Sequence, residues 1–190
     1  LEITCLLNPG VFQFQNKIWL LVRVAERPKQ MENSISFPIL TNKGTIEIIE
    51  IKKDDPELIA TDARVINYKG ADYLTTLSHL RLLCSEDGRT FYEPKNSPSL
   101  VGEGILETFG IEDCRVVLID GVYYLTFTSV SENGVGVGLR TTVDWQKFEK
   151  HGMILPPHNK DCAIFEEKIN GLFYALHRPS SVDIGGNYIW

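Results

Sequence analysis

A short strand signal with a polar head returns four times along this chain. NPGVF at Asn8, DARVI at Asp62, DCRVV at Asp113 and DCAIF at Asp161 open the copies, a spacing of roughly fifty residues that suits one β-propeller blade per repeat. Each opening is followed by an apolar, aromatic-rich run: IWLLVR, YLTTL, YYLTFT and LFYALHR. Asp120-Gly121 and Asn170-Gly171 divide opening from run in the last two copies, and such pairs supply the positive φ angles of tight hairpin turns. Asn16-Lys17 and Lys69-Gly70 hold the corresponding places in the first two. HLRLLCSEDGRTF in the second copy and GVGVGLRTTVDWQKFEKHG in the third read as outer strands, each with a polar turn and an aromatic, Phe91 or Phe148, expected to pack between blades. Corresponding residues of successive blades approach one axis, so the repeat aims one amide and three carboxylates at a common funnel.

The segments between are polar or glycine-rich. PKQMENSISFP, Pro28 to Pro38, is expected to be a loop, and SLVGEGILETFG holds too many glycines for a stable helix. No linker divides the chain, so residues 1–190 are expected to form one partial propeller domain. An aromatic strand starts at NYIW, up to Trp190, and an open ring of sheets would expose aggregation-prone edges. At least one C-terminal blade is therefore expected beyond this stretch.

A net charge of −6 and a pI near 5.3 argue against a nucleic-acid partner, which calls for a basic face. No apolar run approaches the ~20 residues that span a bilayer, so the expectation is a soluble protein, cytoplasmic or periplasmic, with no membrane partner. Cys5, Cys84, Cys114 and Cys162 lack zinc-ligand spacing. Cys114 and Cys162 would be near each other if their strands are neighbours, and buried thiols are favoured over a disulfide.

Asp113, within GIEDCRV, sits where a general acid or base is useful; it could equally form a turn or pair with Arg115. The matching Asp62 and Arg64 favour a structural, blade-linking use for some of these pairs. Arg23, Lys160, His177 and Arg178 fall near the same level of their repeats. Such cations suit an oxyanion such as phosphate, while a surface position with a snorkelling stem is the plainer alternative. GVGVGL resembles a dinucleotide fingerprint but has no following helix.

Several segments together resemble glycoside hydrolase family 130, the β-mannoside phosphorylases and related β-mannosidases. They are NPGVFQFQNKIWLLVR, GIEDCRVVLIDGVYYLTFT, GLRTTVDWQKFEKHG and NKDCAIFEEKINGLFYALHRP. The resemblance implies an all-β, five-bladed β-propeller, of which this chain holds roughly the first three to four blades. It implies that Asp113 is the catalytic acid, protonating the glycosidic oxygen through the 3-hydroxyl of the mannose. Phosphate would attack from the opposite face, giving α-mannose 1-phosphate with inversion. Lys160 and Arg178 match phosphate-binding positions, and Asn8 and Arg23 match residues lining the mannose subsite. Asp161, His177, Asp62 and Arg64 are expected near the pocket. No cofactor or metal is implied beyond phosphate as co-substrate, and the partner is a small oligosaccharide.

The family's motif commonly carries a proline where Cys114 stands. A hydrolase would need a second carboxylate as base for water, for which Glu166 and Glu167 are the local candidates. The alternatives to a phosphorylase are an inverting β-mannosidase of the same family and a glycan-binding propeller without catalysis.

Overall fold

The computed structural model describes residues 1–41, 43–60, 62–180 and Ile189. These form fourteen strands. In chain order they are β1 (Glu2–Phe14), β2 (Lys17–Arg27), β3 (Ser34–Leu40), β4 (Ile46–Lys52), β5 (Leu58–Ile59), β6 (Val65–Tyr68) and β7 (Ala71–Leu74). There follow β8 (Leu77–Ser85), β9 (Ile111–Ile119), β10 (Val122–Ser131), β11 (Gly134–Thr142), β12 (Glu149–Leu155), β13 (Asn159–Ile164) and β14 (Ala175–Pro179). The fold is all-β: no helix long and apolar enough to cross a membrane occurs among the described residues. The strand start expected at NYIW lies outside the described residues apart from Ile189.

The expected hairpins form. Lys69-Gly70, Asp120-Gly121 and Asn170-Gly171 each place two consecutive residues at positive φ, the backbone that matches the twist of paired strands. In the first repeat the turn is Gln15-Asn16, at φ 50° and 58°, one residue earlier than Asn16-Lys17, because Lys17 already pairs with Phe14.

The third repeat builds a four-stranded meander in the order β12-β11-β10-β9. The second does not build a sheet of the same kind. Its hairpin β6-β7 pairs only with the short β5, and HLRLLCS, expected as its outer strand, is β8 and pairs along β2 instead. The β1-β2-β8 sheet is thus completed after an excursion through residues 28–76. Part of the expected loop at Pro28–Pro38 is also a strand. SISFPIL is largely buried in β3, with only Ile35 and Ile39 half-buried, and Pro38 is tolerated because β3-β4 is a two-stranded sheet with free edges.

The main core lies between the first sheet and the meander. Leu21, Leu80, Leu82 and Phe12 meet Ile111, Leu125, Phe127 and Trp145 there, with Phe148 packed against them. Trp145 stacks on Phe12 at 3.8 Å between centroids. Phe37, Ile51 and Ile66 join the excursion's two small sheets in a second cluster. Strand β9 packs against both β1 and β13, which brings the opening strands of three repeats together. Gly10 permits the first approach, since a Cβ there would stand 2.9 Å from the Cys114 carbonyl oxygen.

Cys84, Cys114 and Cys162 are buried free thiols and Cys5 an exposed one. Burial pushes the Cys114 and Cys162 thiols up, which removes them from thiolate chemistry.

Candidate active site

Three repeat openings share one backbone device. In β1, Asn8-Pro9 stand opposite the single residue Val22; in β9, Asp113-Cys114 stand opposite Phe127; in β13, Asp161-Cys162 stand opposite His177. Each is a β-bulge, two residues against one. Its first residue is left-handed each time: Asn8 at φ 37°, Asp113 at 49° and Asp161 at 53°. Asn and Asp tolerate that conformation better than other non-glycine residues, which accounts for the polar head of the repeat. The bulge re-aims the side chain, and all three line one cleft of about 850 Å³.

Arg23 organises one wall. Its Nη2 donates to Glu112 Oε1 at 2.6 Å, its Nη1 to Asp113 Oδ1 at 3.2 Å and its Nε to Ser78 Oγ at 3.1 Å. Ser78 Oγ in turn donates to Glu112 Oε1 at 3.1 Å. The three charged side chains are only 16–18% exposed, so they interact through a poorly screened medium. Ser78 is brought there by a parallel bridge to Gly110, where a Cβ would lie 2.1 Å from the Ser78 carbonyl oxygen. Burial pushes the Glu112 carboxyl above the usual glutamate range, opposed by the charge of Arg23.

The facing wall comes from β13 and β14. Lys160 and Arg178 are cross-strand partners, and Arg178 Nη2 donates to Asp161 Oδ2. The Arg178 Nε is buried without a hydrogen-bond partner among the described residues. The cleft's ion pairs among those residues engage Arg23, Arg64 and Arg178 and leave Lys160 and, on the β9 wall, Arg115 out.

Of the residues singled out in the sequence, Asn8, Arg23, Arg64, Asp113, Arg115, Lys160, Asp161 and Arg178 line this cleft. Asp62 and His177 are not among its lining residues. Asp62 accepts from the Arg64 backbone N–H at 2.7 Å and from its guanidinium, and His177 Nδ1 lies 2.7 Å from Asn159 Oδ1. Glu166 lines a separate hollow with Val11, Gln13 and Tyr123, and Glu167 is exposed. Sequence reasoning passed over Glu112 as a ligand of Arg23, and over Ser78 and Thr128 altogether. For Thr128 the signal was present, because YYLTFT ends on it as IWLLVR ends on Arg23. Among the described residues no group of three or more His, Cys, Asp or Glu is arranged to hold a metal ion.

The cleft thus sets Asp113, Glu112 and Arg23 on one wall and Lys160, Asp161 and Arg178 on the other, with apolar side chains such as Val130, Val135 and Leu176 between them. The sequence model of glycoside hydrolase family 130, described as beta-1,4-mannooligosaccharide phosphorylase, matches residues 63–185. A beta-1,2-mannobiose phosphorylase of Listeria innocua is 40% identical over the whole chain and 55% of its own length. A 1,2-beta-oligomannan phosphorylase of a Thermoanaerobacter species is 35% identical over 57% of the chain and 37% of its own length. A solved beta-1,2-mannobiose phosphorylase from Listeria innocua, in complex with beta-1,2-mannobiose, superposes with a TM-score of 0.91 and 39% identity, covering all of this chain and 55% of that one. This chain belongs to glycoside hydrolase family 130. It spans about half the length of the Listeria relative.

Proposed function

We propose that this chain carries the catalytic cleft of an inverting β-mannoside phosphorylase that cleaves β-1,2-linked manno-oligosaccharides to α-mannose 1-phosphate. The observation that carries the reading is the balance of charge across the cleft. Asp113 stands on one wall, while the ammonium of Lys160 and the Nε of Arg178 remain unengaged on the other among the described residues. An oxocarbenium-like transition state needs an acid on the leaving oxygen and a nucleophile on the opposite face. Phosphate is already an anion, so it needs cations to hold it rather than a second carboxylate to activate it.

In this reading Asp113 supplies the proton through the 3-hydroxyl of the bound mannose, which Asn8 and Arg23 help to seat. Lys160 acts as a point charge on phosphate and Arg178 as a planar donor held in orientation by Asp161. Arg64 also lines the cleft. The sheets would be blades of a five-bladed propeller, of which residues 1–190 supply one part. The two local candidates for a hydrolytic base, Glu166 and Glu167, are not among the residues lining the cleft, and the further carboxylates that do line it are engaged, Glu112 by Arg23 and Ser78 and Asp161 by Arg178, which favours phosphate over water as the nucleophile.

The test is turnover of β-1,2- and β-1,4-mannobiose by the full-length protein, with and without inorganic phosphate. Mannose 1-phosphate formed only with phosphate, and from the β-1,2 substrate, is the expected result. Free mannose released at equal rates in both buffers would establish a hydrolase. Sugar binding without any product would leave a glycan-binding propeller.

A further inference from the structure

The three bulges provide a common ruler for the repeats. Immediately before each bulge, a residue of the opening strand faces a residue of the following strand: Leu7 faces Arg23, Glu112 faces Thr128, and Lys160 faces Arg178. Arg23, Thr128 and Arg178 therefore occupy the same station in three repeats, and all three line the same cleft. Two of these stations hold arginines whose donors serve the cleft. The third holds a hydroxyl.

Of three buried hydroxyls without a partner among the described residues, those of Thr108, Thr128 and Ser180, only that of Thr128 belongs to a residue lining the cleft. Thr128 is 4% exposed, and its Oγ1 has no hydrogen-bond partner among the described residues. Buried side-chain hydroxyls are as a rule hydrogen-bonded, and an exception asks for an explanation. Two residues back on the same face of β10, Thr126 has one: its Oγ1 donates to the Cys162 carbonyl of β13 at 2.6 Å. Lys160 and Asp161 of β13 line the same cleft as Thr128. Glu112, the residue directly opposite Thr128, also lines this cleft, with its carboxylate held by Arg23 and Ser78.

We propose that the Thr128 hydroxyl donates a hydrogen bond to an oxygen of the phosphate held by Lys160 and Arg178, completing the phosphate subsite from the wall that carries Asp113. The proposal rests on the phosphorylase reading and adds a residue to it. A neutral donor suits this station. A third cation would sit opposite Glu112 beside Arg23, whereas a hydroxyl adds direction to the phosphate oxygens without adding charge.

The test compares Thr128→Val, which keeps the shape and deletes the hydroxyl, with Thr128→Ser, which keeps the hydroxyl, in the full-length enzyme. Thr128→Val is expected to raise KM for phosphate about tenfold, with KM for β-1,2-mannobiose unchanged and thermal stability equal or higher. Thr128→Ser should restore the phosphate KM. Should the valine variant fail to fold, Thr128→Ala carries the same comparison. Phosphate-dependent turnover with an unchanged phosphate KM in the valine variant would overturn this assignment and leave the phosphorylase reading standing. A rise in the mannobiose KM alone would overturn it by putting the hydroxyl on the sugar. Phosphate-independent turnover by the unaltered enzyme would overturn both.

Discussion

Asp62 and Asp113 each open a repeat and each is followed two residues on by an arginine. Asp62 folds back on its own Arg64 in an exposed turn, while Asp113 turns from Arg115 to Arg23 on another strand, in the wall of a cleft. The difference lies in the backbone. At Asp113 the opening strand is long enough to pair with β10 and to carry a bulge, and the left-handed residue of that bulge throws its carboxylate sideways. At Asp62 the strand has not begun, since β6 starts at Val65, and the carboxylate is spent on the local turn that precedes it. A shared sequence pattern marks where a strand starts; only the paired strand and its bulge decide where the side chain points.

The comparison can be broken most directly by neutralising each carboxylate in the full-length enzyme. Asp113→Asn is expected to lower kcat by about 10²–10⁴-fold, the range of a lost general acid, with sugar binding retained in calorimetry. Asp62→Asn should change turnover by no more than about twofold, because surface substitutions away from special features have small effects. Equal losses in both variants would mean that the two aspartates are functionally alike despite their surroundings.

A second contrast concerns the arginines. Arg23→Met leaves Glu112 and Asp113 buried without their cation, and breaking such a pair typically destabilises by about 3–5 kcal/mol; urea unfolding should show it. Arg64→Met removes an exposed pair screened by solvent, and its unfolding midpoint should fall only slightly, far less than that of Arg23→Met.

The smallest effect is a matter of titration. The Arg64 side chain and backbone N–H hold Asp62 down to about 2, so its contribution to stability is present above its ordinary value of 3.8 and is lost as pH falls towards 2. Glu112 runs the opposite way. Burial raises its folded value, so the cost of its charge is absent in acid and sets in as pH rises from the unfolded-state value through the folded one. Carboxyl resonances followed by NMR, assigned with Asp62→Asn and Glu112→Gln, should titrate on opposite sides of the ordinary carboxylate range.

Much of this was legible in the chain. The hairpin turns at Lys69-Gly70, Asp120-Gly121 and Asn170-Gly171 follow from residues that accept positive φ, and the third repeat unfolds along the sequence as written, because each of its strands pairs with the next. The convergence of Asn8, Arg23, Asp113, Lys160 and Arg178 was readable from repeat phase and from family resemblance together. What escaped was non-local. Nothing in HLRLLCS says that it pairs with β2 rather than with β7, since both choices bury the same alternating face. The sharing of Arg23 between Glu112 and Asp113 depends on how β1, β2 and β9 abut, which repeat spacing leaves open. His177 was misread as a cleft residue because it adjoins Arg178, yet it stands opposite a bulge and faces Asn159.

The late return of β8 has a consequence for how the molecule is made. The β9–β12 meander is closed by short hairpins, each available as soon as its second strand exists. The first sheet must wait: the open edge of β2 finds β8 only after residues 28–76 have been synthesised. At about 5–20 residues per second that is a delay of several seconds, during which an apolar hairpin offers an unpaired edge to its surroundings. The loop-closure entropy of the excursion grows only slowly with its length, so the finished sheet loses little stability. The burden falls on the nascent chain, where the segment that brings Arg64 to the cleft also sets the time for which the first sheet stays open.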